Sequence, residues 1–447
     1  MPLSPPPATI SPVRILFVTP FYKPYFGGIE RVIEKLSEQL LKDSRIQKIG
    51  VLTTKWTFPK WHQPREYHPE WADYEIIDGI EVYRINSWPR RAIPFFQVPL
   101  VWHSLGDIRR AIKEFKPDTI QWMSDKFFWG NFWSWYFAKM TGLTIFKSSP
   151  VNNRLKPVST SSGCKIFFSP SYHDLTFLKQ WLRPINAVLM RLADKIQVIT
   201  ELEKNKVRRA YFVPEAKFVI IPWGINKLKV KSAVPAGRQE KLKVRNEIQA
   251  RSSTRQENAP FSPKPVTILS VGRISRHKGQ MWLVKIFKEL TEICKQPCKQ
   301  PLKLVLIGQD EGDKEKIENY AFQNDLASQV IITGHISDDE LQRWYERADI
   351  FALFPEYEAF GLVFIEAMSY GLPVVTHRVG AIPEVLKDKA LITDPYNTAQ
   401  AKIVLAKLIN DIEHRQNIGT AGKQFVEVNY SWEKTARELL NIRELTL

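Results

Sequence analysis

Short apolar runs alternate with amphipathic stretches along most of the chain, and Gly or Pro punctuates many of the joins. Residues 13–19, VRILFVT, have the length and β-branched character of a buried strand. PFYKPYFGGIERVIEKLSEQL follows, a Pro- and Gly-punctuated loop entering an amphipathic helix. Residues 266–272, VTILSVG, repeat the strand pattern, and a helical stretch runs from Gly279 to Ile293. The apolar run 349–354 reads as a third buried strand, stopped by Pro355. Leu362, Phe364, Ile365, Met368 and Ser369 then recur at helical spacing, and Gly371-Leu372-Pro373 ends that helix. Because this alternation runs through both halves, it predicts two parallel α/β sheets.

Candidate chemistry falls at the joins. Glu358 lies in a strand-to-helix loop and Glu366 about a turn and a half into the helix, behind the Gly361 that opens it. Free backbone N–H groups at a helix start favour anions, and an ionised carboxylate can accept two hydroxyl hydrogen bonds from a sugar diol. Two ordinary surface glutamates would give the same pattern. In VGRISRHKG, residues 271–279, Gly272 lets the backbone turn closely. Arg273 and Lys278 bring two cations to the carboxyl end of the preceding strand, where open α/β sheets bind ligands. Such cations can stabilise a departing diphosphate, although an Arg and a Lys at this spacing also occur as a solvated pair. Gly27 and Gly28, at the entrance of the first helix, would let a phosphate or sugar hydroxyl approach the backbone; a structural turn is the plainer reading.

In this order, the three segments resemble the family 4 (group 1) retaining glycosyltransferases of GT-B fold. The resemblance continues through KFVIIPWGIN (217–226), GHISDDELQRWYERADIFALFPEYEAFGLVFIEAM, PVVTHRVGAIPEV and YSWEKTARELL (430–440). It implies an α/β protein of two Rossmann-like domains whose parallel sheets face a central cleft. The expected layout is a disordered Pro-rich lead-in at 1–12, an acceptor-side domain at 13–226 and a basic linker or insertion at 227–264. A nucleotide-sugar-binding domain at 265–428 and a C-terminal helix at 429–447, crossing back to the first domain, complete it. By the same resemblance Glu366 would bind the ribose hydroxyls and Glu358 the donor-sugar side. Arg273 and Lys278 would hold the diphosphate, helped by the backbone of Phe360, Gly361, Leu362 and Val363 and by Gly28. His335 and Ile336 would lie against the base. Many relatives carry a His after a strand of the first domain; KIFFSPSYHD (165–174) offers His173, with Ser171 where some relatives place that His. His173 would touch the donor sugar or the acceptor hydroxyl. Ala359 stands where the family usually has Gly, and Gly380-Ala381-Ile382-Pro383-Glu384 replaces the common Gly-Gly-Ile-Pro-Glu. Neither change removes a charge, so activity is expected.

The implied reaction moves a hexosyl group from a nucleotide diphosphate sugar, with UDP or GDP foremost, to a hydroxyl of a glycan, a lipid-linked acceptor or a small molecule. No Asp-x-Asp occurs, so no essential metal and no cofactor beyond the donor substrate are expected. A nucleotide-sugar epimerase or a non-catalytic basic protein that docks anionic polymers or membranes is the alternative.

Composition changes the picture at three places. With 447 residues and 44% hydrophobic content there is enough chain for two cores. The formal charge of +17 draws on residues 227–264, where ten Lys or Arg face three Glu. That segment reads as an exposed insertion, either simply solvated or suited to an anionic lipid surface or acceptor; no nucleic-acid module accompanies it. A second irregular stretch spans 148–163. The cluster FFWGNFWSWYF (127–137) carries aromatics on too many sides of a helix for one face, and reads either as a helix buried on the first sheet or as an interfacial patch. Neither a membrane-spanning apolar run nor a signal core is present, which predicts a cytoplasmic enzyme, with contact at the inner face of the membrane left open. Cys164, Cys294 and Cys298 have no partner set for zinc and read as free thiols.

Overall fold

The structure, a computed structural model, describes residues 12–24, 28–57, 66–88, 102–123, 128–141, 164–169, 183–225, 264–293 and 301–446. Gly27, Ser171, His173, Cys294, Cys298, the lead-in to residue 11, the 148–163 stretch and nearly all of the 227–264 segment lie outside them. The chain divides into two compact units, Met1–Gly224 with Trp432–Leu447, and Ile225–Ser431.

In the first unit eight strands form one sheet in the order Phe218–Ile220, Lys195–Val198, Lys165–Phe168, Thr119–Trp122, Val13–Val18, Ile46–Thr54, Ile80–Ile85, Tyr74–Ile77. Seven of them run parallel, and the last turns back antiparallel on its neighbour. That reversal needs a two-residue turn with positive φ at both positions, which Asp78 (51°) and Gly79 (79°) provide. The helix Gly28–Leu40 buries Val32, Ile33, Leu36 and Leu40 at helical spacing. Trp432, Ala436, Leu439 and Leu440 of the helix Trp432–Thr446 join the same core, far from it in sequence.

The aromatic helix, Phe128–Thr141, is packed on this sheet. Among its described side chains Asn131, Ser134 and Ala138 are buried, and the Trp122 indole donates to Ser134 Oγ at 3.2 Å. Phe132, Trp133, Trp135 and Phe137 are partly buried against the core on either side of that small-residue seam, while Tyr136 and Met140 are exposed. Small inward residues let the helix approach closely, which is why its aromatics spread to both flanks.

The second unit holds six strands, all parallel, in the order Val330–Gly334, Leu302–Ile307, Val266–Val271, Ile350–Ala352, Val374–His377, Leu391–Thr393. Every residue of Val266–Val271 is buried, as a strand covered on both faces must be. Leu283, Val284, Ile286, Phe287 and Leu290 of the helix Gln280–Ile293 pack into the same core. From Val266–Val271 the chain builds outward to one side through Val330–Gly334, then returns to the other side with Ile350–Ala352. Strand order therefore reverses between these two central strands, and a crevice opens at their carboxyl ends. Among the described residues no helix is long and apolar enough to cross a membrane.

Candidate functional site

Five loops lie at that carboxyl edge. The first, after Val266–Val271, is tied to the loop after Leu302–Ile307: the Gly272 amide donates to Ile307 O (2.9 Å), Ile274 to Gln309 O (2.8 Å) and Glu311 to Ile274 O (2.9 Å). Gln280, almost fully buried, closes the loop from behind by donating its side-chain amide to Arg273 O at 2.8 Å. A single 3₁₀ turn, Arg276–Lys278, follows and ends at Gly279, whose φ of 71° requires the left-handed region. A methyl group there would lie 2.0 Å from Phe354 O. The helix consequently starts at Gln280, one residue later than the sequence pattern suggested.

The loop after Ile350–Ala352 lies against this turn, the Glu356 amide donating to His277 O at 2.9 Å. Lys278 Nζ reaches Glu358 Oε2 at 2.7 Å, and Glu356 takes His277 Nδ1 at 2.7 Å with Arg276 Nε at 3.4 Å. Arg273 Nη1 donates to both oxygens of Glu311, at 2.8 and 2.9 Å. The edge is thus a row of three cations, Arg273, Arg276 and Lys278, each facing a carboxylate. The sequence singles out Arg273, Lys278 and Glu358, and the structure adds their neighbours Glu311 and Glu356 to the same edge. Nothing local marks these two; they become partners only through loop contacts 38 and 79 positions away.

Glu358 is further fixed by its backbone, whose carbonyl accepts from the Ala381 amide at 2.9 Å. Gly380, with φ 54°, passes so close that an added Cβ would meet Glu358 O at 2.0 Å. Gly361 (φ 83°) begins the helix Leu362–Ser369 with no side-chain cap, so the first N–H groups receive no acceptor from a capping Ser or Asp. The buried Phe360 ring packs edge-on against Tyr430 at 5.8 Å, which anchors the entry to that helix. Glu366 is half-buried and accepts from the Tyr345 hydroxyl at 3.3 Å, while Tyr345 stacks on Tyr370 at 5.0 Å.

His335, exposed, and Ile336, half-buried, follow the outer strand Val330–Gly334 at the same carboxyl edge of the sheet. The Gly308 amide, donating to Gly334 O at 3.0 Å, links that strand end to its neighbour. Gly28 opens a helix of the first unit. His377, unremarked in the sequence, ends its strand almost fully buried among the rings of Trp282, Phe354 and Tyr396. Burial pushes its imidazole down to about 4, and Nε2 accepts from the Tyr396 amide at 3.3 Å, so it is a neutral packing residue. Burial likewise raises the free Cys164 thiol to about 12, leaving it a poor nucleophile.

Residues 252–425 match the sequence model described as glycosyl transferases group 1, and residues 26–227 match that of glycosyltransferase family 4. An uncharacterized glycosyltransferase of Methanocaldococcus jannaschii is 27% identical over 97% of this chain and 99% of its own length. A GDP-mannose-dependent monoacylated alpha-(1-6)-phosphatidylinositol monomannoside mannosyltransferase of Corynebacterium glutamicum is 23% identical, covering 96% of this chain and 97% of that protein. In fold, the chain is similar to sucrose-phosphate synthase of Thermosynechococcus elongatus, with a TM-score of 0.66 at 18% identity, over 97% of this chain and 98% of the other. Paired parallel α/β units, a loop edge lined by ion pairs and two matching sequence models lead to one conclusion: the chain belongs to the family 4, group 1 glycosyltransferases and has the GT-B fold.

Proposed function

We propose that the chain transfers a hexosyl group from a nucleoside diphosphate sugar to an acceptor hydroxyl, with retention at the anomeric carbon and without an essential divalent metal. The observation that carries this reading is the Lys278–Glu358 pair, 2.7 Å apart beside the uncapped start of Leu362–Ser369 at the strand-order reversal. A cation, free helix N–H groups and a carboxylate gathered at one place suit a diphosphate bonded to a polyol. The corynebacterial relative is named for GDP-mannose and for a phosphatidylinositol-linked acceptor, which supports the same donor chemistry and a lipid-linked or glycan acceptor here.

In this reading the bond from the anomeric carbon to the diphosphate oxygen breaks first in charge, if not in time. Negative charge grows on the departing phosphate, and Arg273, Lys278 and the backbone of Phe360–Val363 stabilise it. The acceptor hydroxyl oxygen bonds to the anomeric carbon on the face the phosphate leaves, and its proton passes to a phosphate oxygen. Glu358 accepts hydrogen bonds from the donor sugar and Glu366 from the ribose, while His335 and Ile336 flank the base. The family resemblance further assigns Gly28, with Gly27 outside the described residues, to a phosphate or sugar hydroxyl, and His173, also outside them, to the donor sugar or the acceptor hydroxyl.

Thermal unfolding with UDP, GDP or ADP, for wild type and Glu366→Ala, tests the donor site. A ligand at 100 times its dissociation constant stabilises by about 2.7 kcal/mol, which a melt detects. The expected result is stabilisation by one nucleotide that the variant loses. If no nucleotide acts at millimolar concentration, the donor-site assignment falls.

A further inference from the structure

Arg273 is held from one side only. Its Nη1 donates to both oxygens of Glu311, at 2.8 and 2.9 Å, and Nε and Nη2 have no hydrogen-bond partner among the described residues. The Arg273 side chain is 55% exposed, whereas Glu311 is only 18% exposed. Glu311 is also firmly placed. Its amide donates to Ile274 O at 2.9 Å, Ile274 and Asp310 form a parallel bridge, and Asp310 Oδ1 accepts from the amides of Gly312 (2.8 Å) and Lys314 (3.1 Å). Those amide bonds hold the Asp310 carboxyl below its usual range, so the turn stays pinned near neutral pH.

We propose that Glu311 is a positioning residue: by gripping Nη1 it turns the Nε and Nη2 edge of Arg273 towards the donor diphosphate. The inference rests on the donor-site reading above, in which Arg273 meets the diphosphate. A guanidinium is a planar fork, and the Nε–Nη2 edge matches two phosphate oxygens. An Arg left swinging on its stem would surrender rotamer freedom at binding; one already held surrenders less. The opposite role is physically distinct. A carboxylate that merely competes for the guanidinium would weaken phosphate binding, and its removal would strengthen it.

The sign of one measurement separates these roles. The dissociation constants of GDP and GMP, UDP and UMP, and ADP and AMP are measured by calorimetry for wild type, Glu311→Ala, Glu311→Gln, Arg273→Ala and the double Ala variant. For the base that wild type binds, the preference for diphosphate over monophosphate should fall about two- to tenfold in Glu311→Ala, the scale of ordering one long side chain at binding. Glu311→Gln, which keeps an oxygen acceptor, should recover part of it, and the double variant should be no worse than Arg273→Ala alone. A purely structural Glu311 would lower the apo melting temperature and leave the ratio untouched. An unchanged or increased preference in Glu311→Ala and Glu311→Gln overturns the positioning role while leaving the donor site intact. Wild type without any diphosphate preference would remove Arg273 from the diphosphate site, and Glu311 with it.

Discussion

Lys278 and Glu358, 80 positions apart in sequence, meet at 2.7 Å with neither side chain more than 20% exposed. Removing one partner leaves the other partly buried and unpaired, which costs roughly 1–3 kcal/mol of stability. If the ammonium also meets the leaving diphosphate, Lys278→Ala lowers kcat/KM by about 10²–10³-fold, the scale for losing one preorganised electrostatic contact. Steady-state kinetics with a melt on the same sample check both effects. Activity within twofold of wild type would reduce the pair to a structural tie.

Gly380 has no room for a side chain. A Cβ would sit 2.0 Å from Glu358 O in a backbone with φ 54°. Gly380→Ala should therefore destabilise the second unit by about 1–3 kcal/mol, and nucleotide binding should weaken as the Glu358 loop shifts. Chemical denaturation and calorimetry on one variant measure the two together. Ala381→Gly, which restores the commoner family residue beside it, should leave binding close to wild type.

His377 makes stability depend on acid. Its pKa is depressed by burial to about 4 from the ordinary 6.5, so between those values the unfolded chain binds a proton that the native state refuses. The contribution is complete above pH 6.5 and is lost as pH falls towards 4, up to about 3 kcal/mol in all. His377→Asn should flatten that part of the stability curve. Urea midpoints from pH 7 down to 4 give the comparison, and an identical slope in the variant would remove His377 as its source.

Transfer should persist in excess chelator. In the proposed reading, Arg273, Lys278 and the helix start would supply the positive field that a bound cation would otherwise provide. Initial rates with and without EDTA, after dialysis, should agree within about twofold. Restoration by Mg²⁺ or Mn²⁺ of a rate abolished by EDTA would refute metal independence.

Strands and helices were legible where one chemical pattern sufficed. Val266–Val271, Ile350–Ala352 and Leu362–Ser369 lie within the runs predicted from apolar spacing, and Pro355 and Gly371 mark their limits. Smaller features were not. The helix start at Gln280 follows from Gly279 passing under Phe354 O, a contact between loops that no window of sequence contains. The antiparallel strand Tyr74–Ile77 could be inferred only from Asp78-Gly79, a signal too short to stand out. In the site, Arg273, Lys278 and Glu358 stood out because their residue types suit phosphate and sugar. Glu311 and Glu356 did not, since a carboxylate in a loop takes its meaning from the cation that the fold delivers to it.

The helix Trp432–Thr446 buries Trp432, Ala436, Leu439 and Leu440 in the core begun by Val13–Val18, while all of Ile225–Ser431 is synthesised between them. A ribosome making this chain therefore finishes the second unit before it has released the last piece of the first. During that interval the apolar bed of Ile33, Leu36 and Leu40 lacks its cover, a window in which a chaperone can bind and a misfolded encounter can begin. Translation order thus makes the unit that starts first the one that closes last.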